Sequence, residues 1–248
     1  MKRLPLLILS AVFLIASGCQ NYYSSAICKP RLVSINIIDR NDFSETINNP
    51  DRLSTYDKVD FNEPQPYDKV LRVYSRDEEG NIKAYLNTYH PNGLPKQYLE
   101  VVNSRAYGTY KEWYPNGAQK IEAFVVGGEA DIIDGSEKTW LFDGDCKAWN
   151  EKKELEAIIP YSKGEMEGKA IYYHPNGTIW KSVPHHHNKM HGTFEVFLDN
   201  GQILQRSEFA NGNRHGPSIR YWDGKTPSTE EIFKDGLLAK GKYYDPNG

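Results

Sequence analysis

The sequence predicts an all-β protein: an elongated, twisted, single-layer antiparallel sheet of stacked β-hairpin repeats with a small N-terminal β cap. Three observations support this fold class. A turn motif, in which an aromatic residue is followed four positions later by glycine, recurs through the last two-thirds of the chain. The segments between turns are short and rich in Tyr, Phe, Trp, Ile and Val, which favour strands. Only 39% of the 248 residues are hydrophobic, which suits a thin sheet better than a thick core.

The chain begins with a pattern typical of export signals. Lys2 and Arg3 precede a run of thirteen mostly apolar residues from Leu4 to Ala16. Such a run is too short to span a bilayer and is typical of the hydrophobic part of a signal peptide. The order Ala-Ser-Gly-Cys follows, and its cysteine is Cys19. An ordinary signal peptide with a coincidental cysteine is one interpretation.

The small residues before Cys19 resemble the lipobox of bacterial lipoproteins. The resemblance implies that residues 1–18 are a lipoprotein signal peptide, that Cys19 is acylated, and that the lipid anchors the mature chain to a membrane of the cell envelope. Gln20 stands where an Asp usually signals inner-membrane retention in bacteria with two membranes. The outer membrane is therefore favoured, if the organism has one.

Two further cysteines are Cys28 and Cys146. An exported protein can form disulfides, but two thiols far apart in sequence do not establish one. A Cys28–Cys146 bridge and two free thiols both stay open at this point.

Residues 19–79 lack the repeat and are predicted to form a linker and a β cap for the end of the sheet. Alternation over residues 31–38 indicates a strand. Residues 49–51 read Asn-Pro-Asp and are interpreted as a chain breaker. Residues 70–74 and 82–89 flank Asp-Glu-Glu-Gly and predict a hairpin that leads into the repeats.

The repeat is defined by the glycine of its turn motif, which most often reads Pro-Asn-Gly. This glycine falls at Gly93, Gly117, Gly144, Gly177, Gly201, Gly224 and Gly248. The spacings are 24, 27, 33, 24, 23 and 24 residues. Counting back 24 from Gly177 reaches Lys153, with Trp149 in the aromatic position, so residues 149–153 are predicted to be a degenerate copy of the turn.

A second glycine follows the turn by fifteen residues in most units. It occurs at Gly108, Gly168, Gly192 and Gly216, and two stretched units place it at Gly135 and Gly241. Asn-Gly and Asp-Gly favour turns with positive φ that join antiparallel strands. A period near 24 therefore holds one hairpin, and such short hairpins must stack to bury a face.

The repeat resembles the variant MORN family over residues 80–248. The match rests on Tyr-x-Pro-Asn-Gly, followed by an Asn-Gly-x-x-His-Gly segment that residues 211–216 fit best. The resemblance implies stacked hairpins and interaction rather than catalysis. Chains of such repeats are also similar to YwqK-type antitoxins, which are predicted partners of secreted toxins. MORN repeats also accompany lipid kinase domains, but no kinase signature is present here.

Few residues are candidates for chemistry. His185, His186, His187 and His191 form the sharpest cluster, and imidazoles can bind zinc, nickel or copper. Adjacent strand residues point to opposite faces, however, and no carboxylate or Cys lies nearby in sequence, so a polar turn without metal is expected. The pairs Glu165 and Glu167, and Glu154 and Glu156, are expected to share an exposed face rather than to act as acid and base. We expect no catalytic residue and no cofactor.

The resulting functional hypothesis is a non-catalytic, lipid-anchored envelope protein whose repeat sheet binds other envelope proteins as a scaffold. The first alternative is an antitoxin or immunity protein that occludes a cognate toxin, and the second is a glycan- or cell-wall-binding module. Rows of aromatic side chains could contact a partner, although packing across strands explains them more simply. Nucleic acid is not an expected partner, because 30 Lys and Arg are outnumbered by 33 Asp and Glu.

Overall fold

The computed structural model describes residues 31–133 and 135–246. These residues form one open antiparallel sheet of 18 strands, with one short α-helix and one 3₁₀-helix. The predicted all-β fold class is therefore confirmed. The predicted signal peptide, Cys19, Cys28 and Gly248 lie outside the described residues.

The strands follow one another along the chain with the α-helix after the second. Their bounds are β1 Arg31–Asp39, β2 Ser44–Ile47, α1 Pro50–Ser54, β3 Asp68–Arg76, β4 Ile82–Tyr89, β5 Pro95–Val102, β6 Arg105–Trp113, β7 Gln119–Val125, a 3₁₀-helix Ser136–Thr139, β8 Gly144–Trp149, β9 Leu155–Ser162, β10 Glu165–Met166, β11 Gly168–Tyr173, β12 Ile179–His186, β13 Lys189–Met190, β14 Gly192–Phe197, β15 Ile203–Ala210, β16 Asn213–Tyr221, β17 Pro227–Lys234 and β18 Leu237–Tyr243.

The sheet is a meander in which neighbours in sequence pair with each other. β1 lies between β2 and β3, and from β3 onward neighbouring strands pair in sequence order, with β10 and β13 as short additions. β10 and β11 both face β9, and β13 and β14 both face β12, so each of these pairs is one strand interrupted by a bulge. β18 pairs with β17 at the far end.

The helix α1 starts where the sequence indicated only a chain breaker. The side chain of Asn49 accepts hydrogen bonds from the backbone N–H groups of Asp51 and Arg52, and Pro50 occupies the first helical position. Asn at the N-cap and Pro at the first helical position are common at helix starts, so the same residues that indicate a chain breaker also fit a helix N-terminus. The helix buries Leu53 against one face of the sheet, in a cluster with Ile35, Ile47, Leu71, Val73 and Tyr89.

A second buried cluster lies on the opposite face. Leu71 of the first cluster is paired directly with Asn87 of β4, so these two side chains lie on the same face of the sheet. Leu86 precedes Asn87 and belongs to the second cluster, so its side chain points to the opposite face. The chain between β7 and β8 covers this face and contributes Trp140, whose Nε1 donates to the carbonyl of Glu129 at 2.9 Å. The other members are Ala84, Leu99, Val101, Ala106, Tyr110, Val125 and Ile132.

The sheet is a single layer in its C-terminal half. Within the described residues, neither buried cluster includes a side chain beyond Phe142. The buried side chains of residues 155–246 are small: Ala157, Ala170, Ser182, Val183, Pro184, Ser207, Ser218 and Ser228. Most other side chains in this half are partly exposed on one face or the other.

The helices of the described residues are too short and too polar to cross a membrane.

Candidate functional site

The repeat turns share one backbone geometry. At Gly93 the N–H of His90 donates to the carbonyl of Leu94, and the N–H of Gly93 donates to that of His90, both at 2.8 Å. Gly93 has φ +87, in the left-handed region that favours glycine. The same pair of bonds joins residues at Gly117, Gly177 and Gly201, where φ lies between +78 and +82.

Lys153 occupies the glycine position of this turn. Its φ is +67 and its N–H donates to the carbonyl of Asn150 at 2.9 Å, while Asn150 N–H donates to Glu154 at 3.0 Å. A non-glycine residue there adopts a conformation that costs roughly 1 kcal/mol or more. The degenerate turn that the 24-residue count placed at residues 149–153 therefore has the backbone of the other turns.

Gly144 was predicted as a turn glycine, and this prediction is wrong. Gly144 begins β8, and the residues before it run beside β7, with Val126 N–H donating to Leu141 at 2.8 Å and Asp143 N–H donating to Phe124 at 2.9 Å. Gly144 precedes Lys153 by nine residues, as Gly168 precedes Gly177. It is the second glycine of its unit.

The misassignment came from an insertion of twelve residues. Gly117 and Lys153 are 36 residues apart, one period plus twelve, and the excess forms the excursion that carries the 3₁₀-helix. Gly135, predicted as the second glycine, lies in this excursion. An aromatic residue happens to precede Gly144 by four positions, which mimicked the turn motif.

The shorter turn at Gly224 is stabilised by Asp223. Gly224 has φ +83, and Trp222 N–H donates to the carbonyl of Thr226 at 2.9 Å. The carboxylate of Asp223 accepts from the N–H groups of Thr226 at 2.7 Å and Lys225 at 2.9 Å. These bonds, that from Thr226 first, hold the pKa of Asp223 below its usual range.

Neighbouring repeat turns are tied to each other by side chains. Asn176 Nδ2 donates to the carbonyl of Asp199 at 3.0 Å, and His174 Nε2 donates to that of Phe197 at 3.0 Å. His90 makes the same contact with Trp113 at 2.9 Å. The histidines that share this position therefore join one turn to the next and have a structural role.

At the other ends of the strands, two-residue turns connect the hairpins of the repeat sheet. Both residues of each turn have positive φ, as the type I′ turn of a two-residue hairpin loop requires. The turns are Asn103–Ser104, Lys163–Gly164, His187–Asn188, Asn211–Gly212 and Asp235–Gly236. The strand after the Lys163–Gly164 turn is joined to the next turn, since Met166 N–H donates to Asn188 Oδ1 at 2.7 Å and Asn188 N–H donates to the Met166 carbonyl at 3.1 Å.

Two of these turns bring a histidine–glutamate cluster together, which we call the His–Glu cluster: Glu165, Glu167, His186 and His187. His186 Nδ1 lies 2.8 Å from Glu167 Oε1, and His187 Nδ1 lies 2.7 Å from Glu165 Oε2. The backbone N–H of His187 donates to Glu167 Oε2 at 2.9 Å. The two imidazole rings have centroids 4.2 Å apart.

The contacts within the His–Glu cluster favour the charged forms of Glu167 and His187. The hydrogen bonds from His186 and from the His187 backbone hold the pKa of Glu167 below its usual range. The hydrogen bond to Glu165 raises the pKa of His187. Glu165, His186 and His187 are exposed and Glu167 is partly exposed, so the cluster is open to solvent and to ions.

Sequence reasoning missed the His–Glu cluster for two reasons. The carboxylates come from the segment that follows the preceding two-residue turn, about twenty residues away, rather than from the histidine segment itself. The expectation that adjacent histidines point apart also failed, because His186 ends a strand whereas His187 has φ +50 inside a turn. The repeat period was the signal that could have aligned the two turns.

Two other residues singled out from the sequence, Cys146 and Glu154, lie in a strand and in a turn of the sheet. Cys146 is half-buried in β8, and burial raises the pKa of its thiol. The bridge to Cys28 stays a prediction, since Cys28 lies outside the described residues. Glu154 accepts a hydrogen bond from Asn150 Nδ2 at 2.8 Å, within the degenerate turn.

An apolar groove lies on one face of the last three strands. The strand register places its members directly opposite one another, with Pro217 facing Ile232 and Ile219 facing Glu230. Ile232 is 50% exposed although it is large and apolar. We call this surface the β16–β18 patch: Pro217, Ile219, Glu230, Ile232, Lys240 and Lys242.

Comparison with known families gives two matches within the repeats. Residues 166–187 and 190–211 each match the family described as MORN repeat variant. A search of curated proteins found no match. Each matched segment extends from the strand after one two-residue turn into the next such turn, with a repeat turn in its middle. Two adjacent hairpins of this sheet are therefore similar in sequence to MORN repeat variants.

Proposed function

We propose that this protein is a non-catalytic, lipid-anchored component of the bacterial envelope whose repeat sheet binds another envelope protein. MORN repeats generally act as interaction modules for proteins or membranes. The observation that carries the proposal is the single-layer C-terminal half, where the β16–β18 patch is left uncovered by every described element.

The β16–β18 patch has the composition of a small protein interface. Ile219, Ile232 and Pro217 provide an apolar centre, and Glu230, Lys240 and Lys242 provide charged groups around it. Protein interfaces commonly combine an apolar core with a polar rim. Full burial of one such isoleucine contributes roughly 1.5–3 kcal/mol, which makes Ile232 the residue on which we expect binding to depend most.

The proposed anchor at Cys19 precedes β1 in sequence, whereas the patch lies at the other end of the sheet. Arg31, the first residue of β1, follows Cys19 by twelve residue steps, which can span at most about 40 Å. Thirteen strand intervals of ~4.8 Å separate β1 from β17, roughly 60 Å along the sheet. A lipid on Cys19 would hold the β1 end near the membrane, and the repeats would present the patch at a distance from it.

The experiment is site-specific photo-crosslinking in native envelopes. A photoreactive residue replaces Ile232 in one variant and Arg220 in a matched control, because Arg220 is exposed on the other face of the same strands. We expect a discrete envelope protein to crosslink at position 232 and not at 220. Equal crosslinking at both positions, or none at 232, would contradict the proposal.

The identity of the captured protein distinguishes the alternatives. A toxin as the dominant product would assign an immunity function to the same surface. Retention on peptidoglycan or polysaccharide, without any protein product, would favour glycan binding.

Anchoring is tested separately through the lipid-bearing residue. Cys19→Ser should move the protein from the detergent phase to the aqueous phase, because the lipid supplies the membrane affinity. Continued partition of the variant into detergent would exclude the lipid on Cys19 as the anchor.

A further inference from the structure

We propose that Glu167, His186 and His187 bind a divalent d-block metal ion, such as Zn²⁺, between two neighbouring turns at the edge of the sheet. One ligand atom from each of these side chains lies within 4.8 Å of the other two. This inference is independent of the proposed envelope function and uses a different surface.

The distances are close to those that a shared ion requires. Zn–N and Zn–O bonds of about 2.0–2.2 Å place two ligand atoms of a tetrahedral ion ~3.4 Å apart. His186 Nδ1 and Glu167 Oε1 are 2.8 Å apart and would have to separate by roughly half an ångström. No two of the three ligand atoms are more than 4.8 Å apart, so the widest pair would have to approach by at most about 1.4 Å. The two histidines are exposed and Glu167 is partly exposed, so small torsional changes suffice.

The backbone holds the two turns in register before any ion binds. Asn188 Oδ1 accepts from Met166 N–H at 2.7 Å, and Asn188 N–H donates to the Met166 carbonyl at 3.1 Å. Met166 precedes Glu167, and Asn188 follows His187, so these bonds lie beside the proposed ligands. A site whose ligands are already adjacent loses less conformational entropy on binding.

Glu165 is placed as a positioning residue for His187. Its carboxylate lies 2.7 Å from His187 Nδ1 and would accept the N–H of that nitrogen when Nε2 binds the ion. Metal-bound histidines commonly donate their other ring N–H to a carboxylate, which orients the ring and raises its basicity.

The donor set defines the class of ion. Two imidazole nitrogens and one carboxylate oxygen suit Zn²⁺, Cu²⁺ or Ni²⁺, whereas Ca²⁺ and Mg²⁺ prefer all-oxygen surroundings. Because three protein groups leave a fourth position open to water, the ion would lie at the solvent-exposed edge of the sheet. Its direct consequence would be to link the hairpin turn at residues 163–164 with the one at residues 187–188.

The test is calorimetric titration of the full mature chain with Zn²⁺, after chelator treatment and without a histidine tag. We expect one equivalent to bind. His186→Gln, His187→Gln and Glu167→Gln should each weaken binding by at least ~10-fold, and Glu165→Gln should weaken it by ~10-fold through His187.

His215→Gln is the matched control. His215 Nδ1 also lies near a carboxylate, 3.2 Å from Asp235 Oδ1, but it lies outside the His–Glu cluster. We expect the control to bind Zn²⁺ like the unchanged chain, and circular dichroism to show the same fold in every variant.

The absorption spectrum of bound Co²⁺ supplies a second measurement that needs no variant. We expect ligand-field bands without a thiolate charge-transfer band. Absence of saturable binding, equal binding by the three ligand variants, an equal loss in the control, or a thiolate band that assigns the ion to a cysteine would each overturn the proposal.

Discussion

The imidazole Nε2 of His174 donates to the carbonyl oxygen of Phe197 at 3.0 Å, and these two residues belong to successive repeat turns. A side chain of one repeat unit thereby donates a hydrogen bond to a backbone carbonyl of the next unit. Stacked hairpins are thus joined at their turns as well as by the strand ladder. The period of 24 residues is the length that brings equivalent turns side by side.

The asparagine of the repeat turn should stabilise both its own turn and the next one. Asn176→Asp keeps the Oδ1 acceptor for Thr178 N–H but loses the Nδ2 donor to Asp199. We expect it to lower the free energy of unfolding by about 0.5–1.5 kcal/mol, measured by urea denaturation.

Asn200→Asp is the control for this substitution. Asn200 Nδ2 donates to the Gln202 side chain within its own turn, and that amide can rotate to donate instead. The control should change stability little. A loss at Asn200 as large as that at Asn176 would contradict a stabilising bond between turns.

Lys153 should be replaceable by glycine with a gain in stability. The left-handed backbone costs a lysine roughly 1–2 kcal/mol, while glycine adds unfolded-state entropy of about 0.4–1 kcal/mol. Lys153→Gly should therefore raise the free energy of unfolding by ~0.5–1 kcal/mol. Gly177→Ala should lower it, although a Cβ at Gly177 would meet no atom within 4 Å, because its φ is +82. A destabilised Lys153→Gly would argue against the shared turn.

The two halves of the sheet should respond differently to the loss of a tryptophan. Trp140 is buried in the second cluster at 5% exposure, whereas Trp222 is 51% exposed in the single layer. Trp140→Ala should lower the free energy of unfolding by about 3–5 kcal/mol, and Trp222→Ala should lower it by less than ~1 kcal/mol, as measured by thermal unfolding. Similar losses for both would contradict the division into covered and uncovered halves.

Asp223 should make the stability of its turn depend on pH. Because its folded pKa is lowered, its contribution is present above the unfolded pKa near 3.8 and is lost as the pH falls through the folded value. Asp223→Ala should therefore reduce stability at neutral pH, and the difference from the unchanged chain should shrink in acid. A difference independent of pH would exclude this carboxylate as the cause.

The repeat and its hairpin fold could be predicted because they depend on local turn chemistry. The positions that the spacing assigned to Gly177 and Lys153 do have positive φ. The insertion before Gly144 could not be recognised from the sequence. Its buried Trp140 precedes Gly144 by four residues, which is the same spacing as between the aromatic residue and the glycine of the turn motif. Spacing alone does not distinguish an inserted segment from a repeat.

The His–Glu cluster and the helix depend on information of a different kind. Glu167 and His186 meet across neighbouring turns, so their contact follows from strand register rather than from adjacency in sequence. Asn49 and Pro50 fit both a chain break and a helix start, and the burial of Leu53 is the tertiary contact that stabilises the helix. Tertiary contacts determine both features.

The most direct test of the proposed function is the accessibility of the β16–β18 patch in its native surroundings. Ile232→Cys and Arg220→Cys would be labelled with a maleimide in intact envelopes and in the purified protein, with rates measured on the peptide that carries the new cysteine. We predict that position 232 reacts several times more slowly in envelopes than in the purified protein, and that position 220 reacts equally in both. Equal rates at position 232 in both preparations would contradict the proposal that this surface is occupied by a partner.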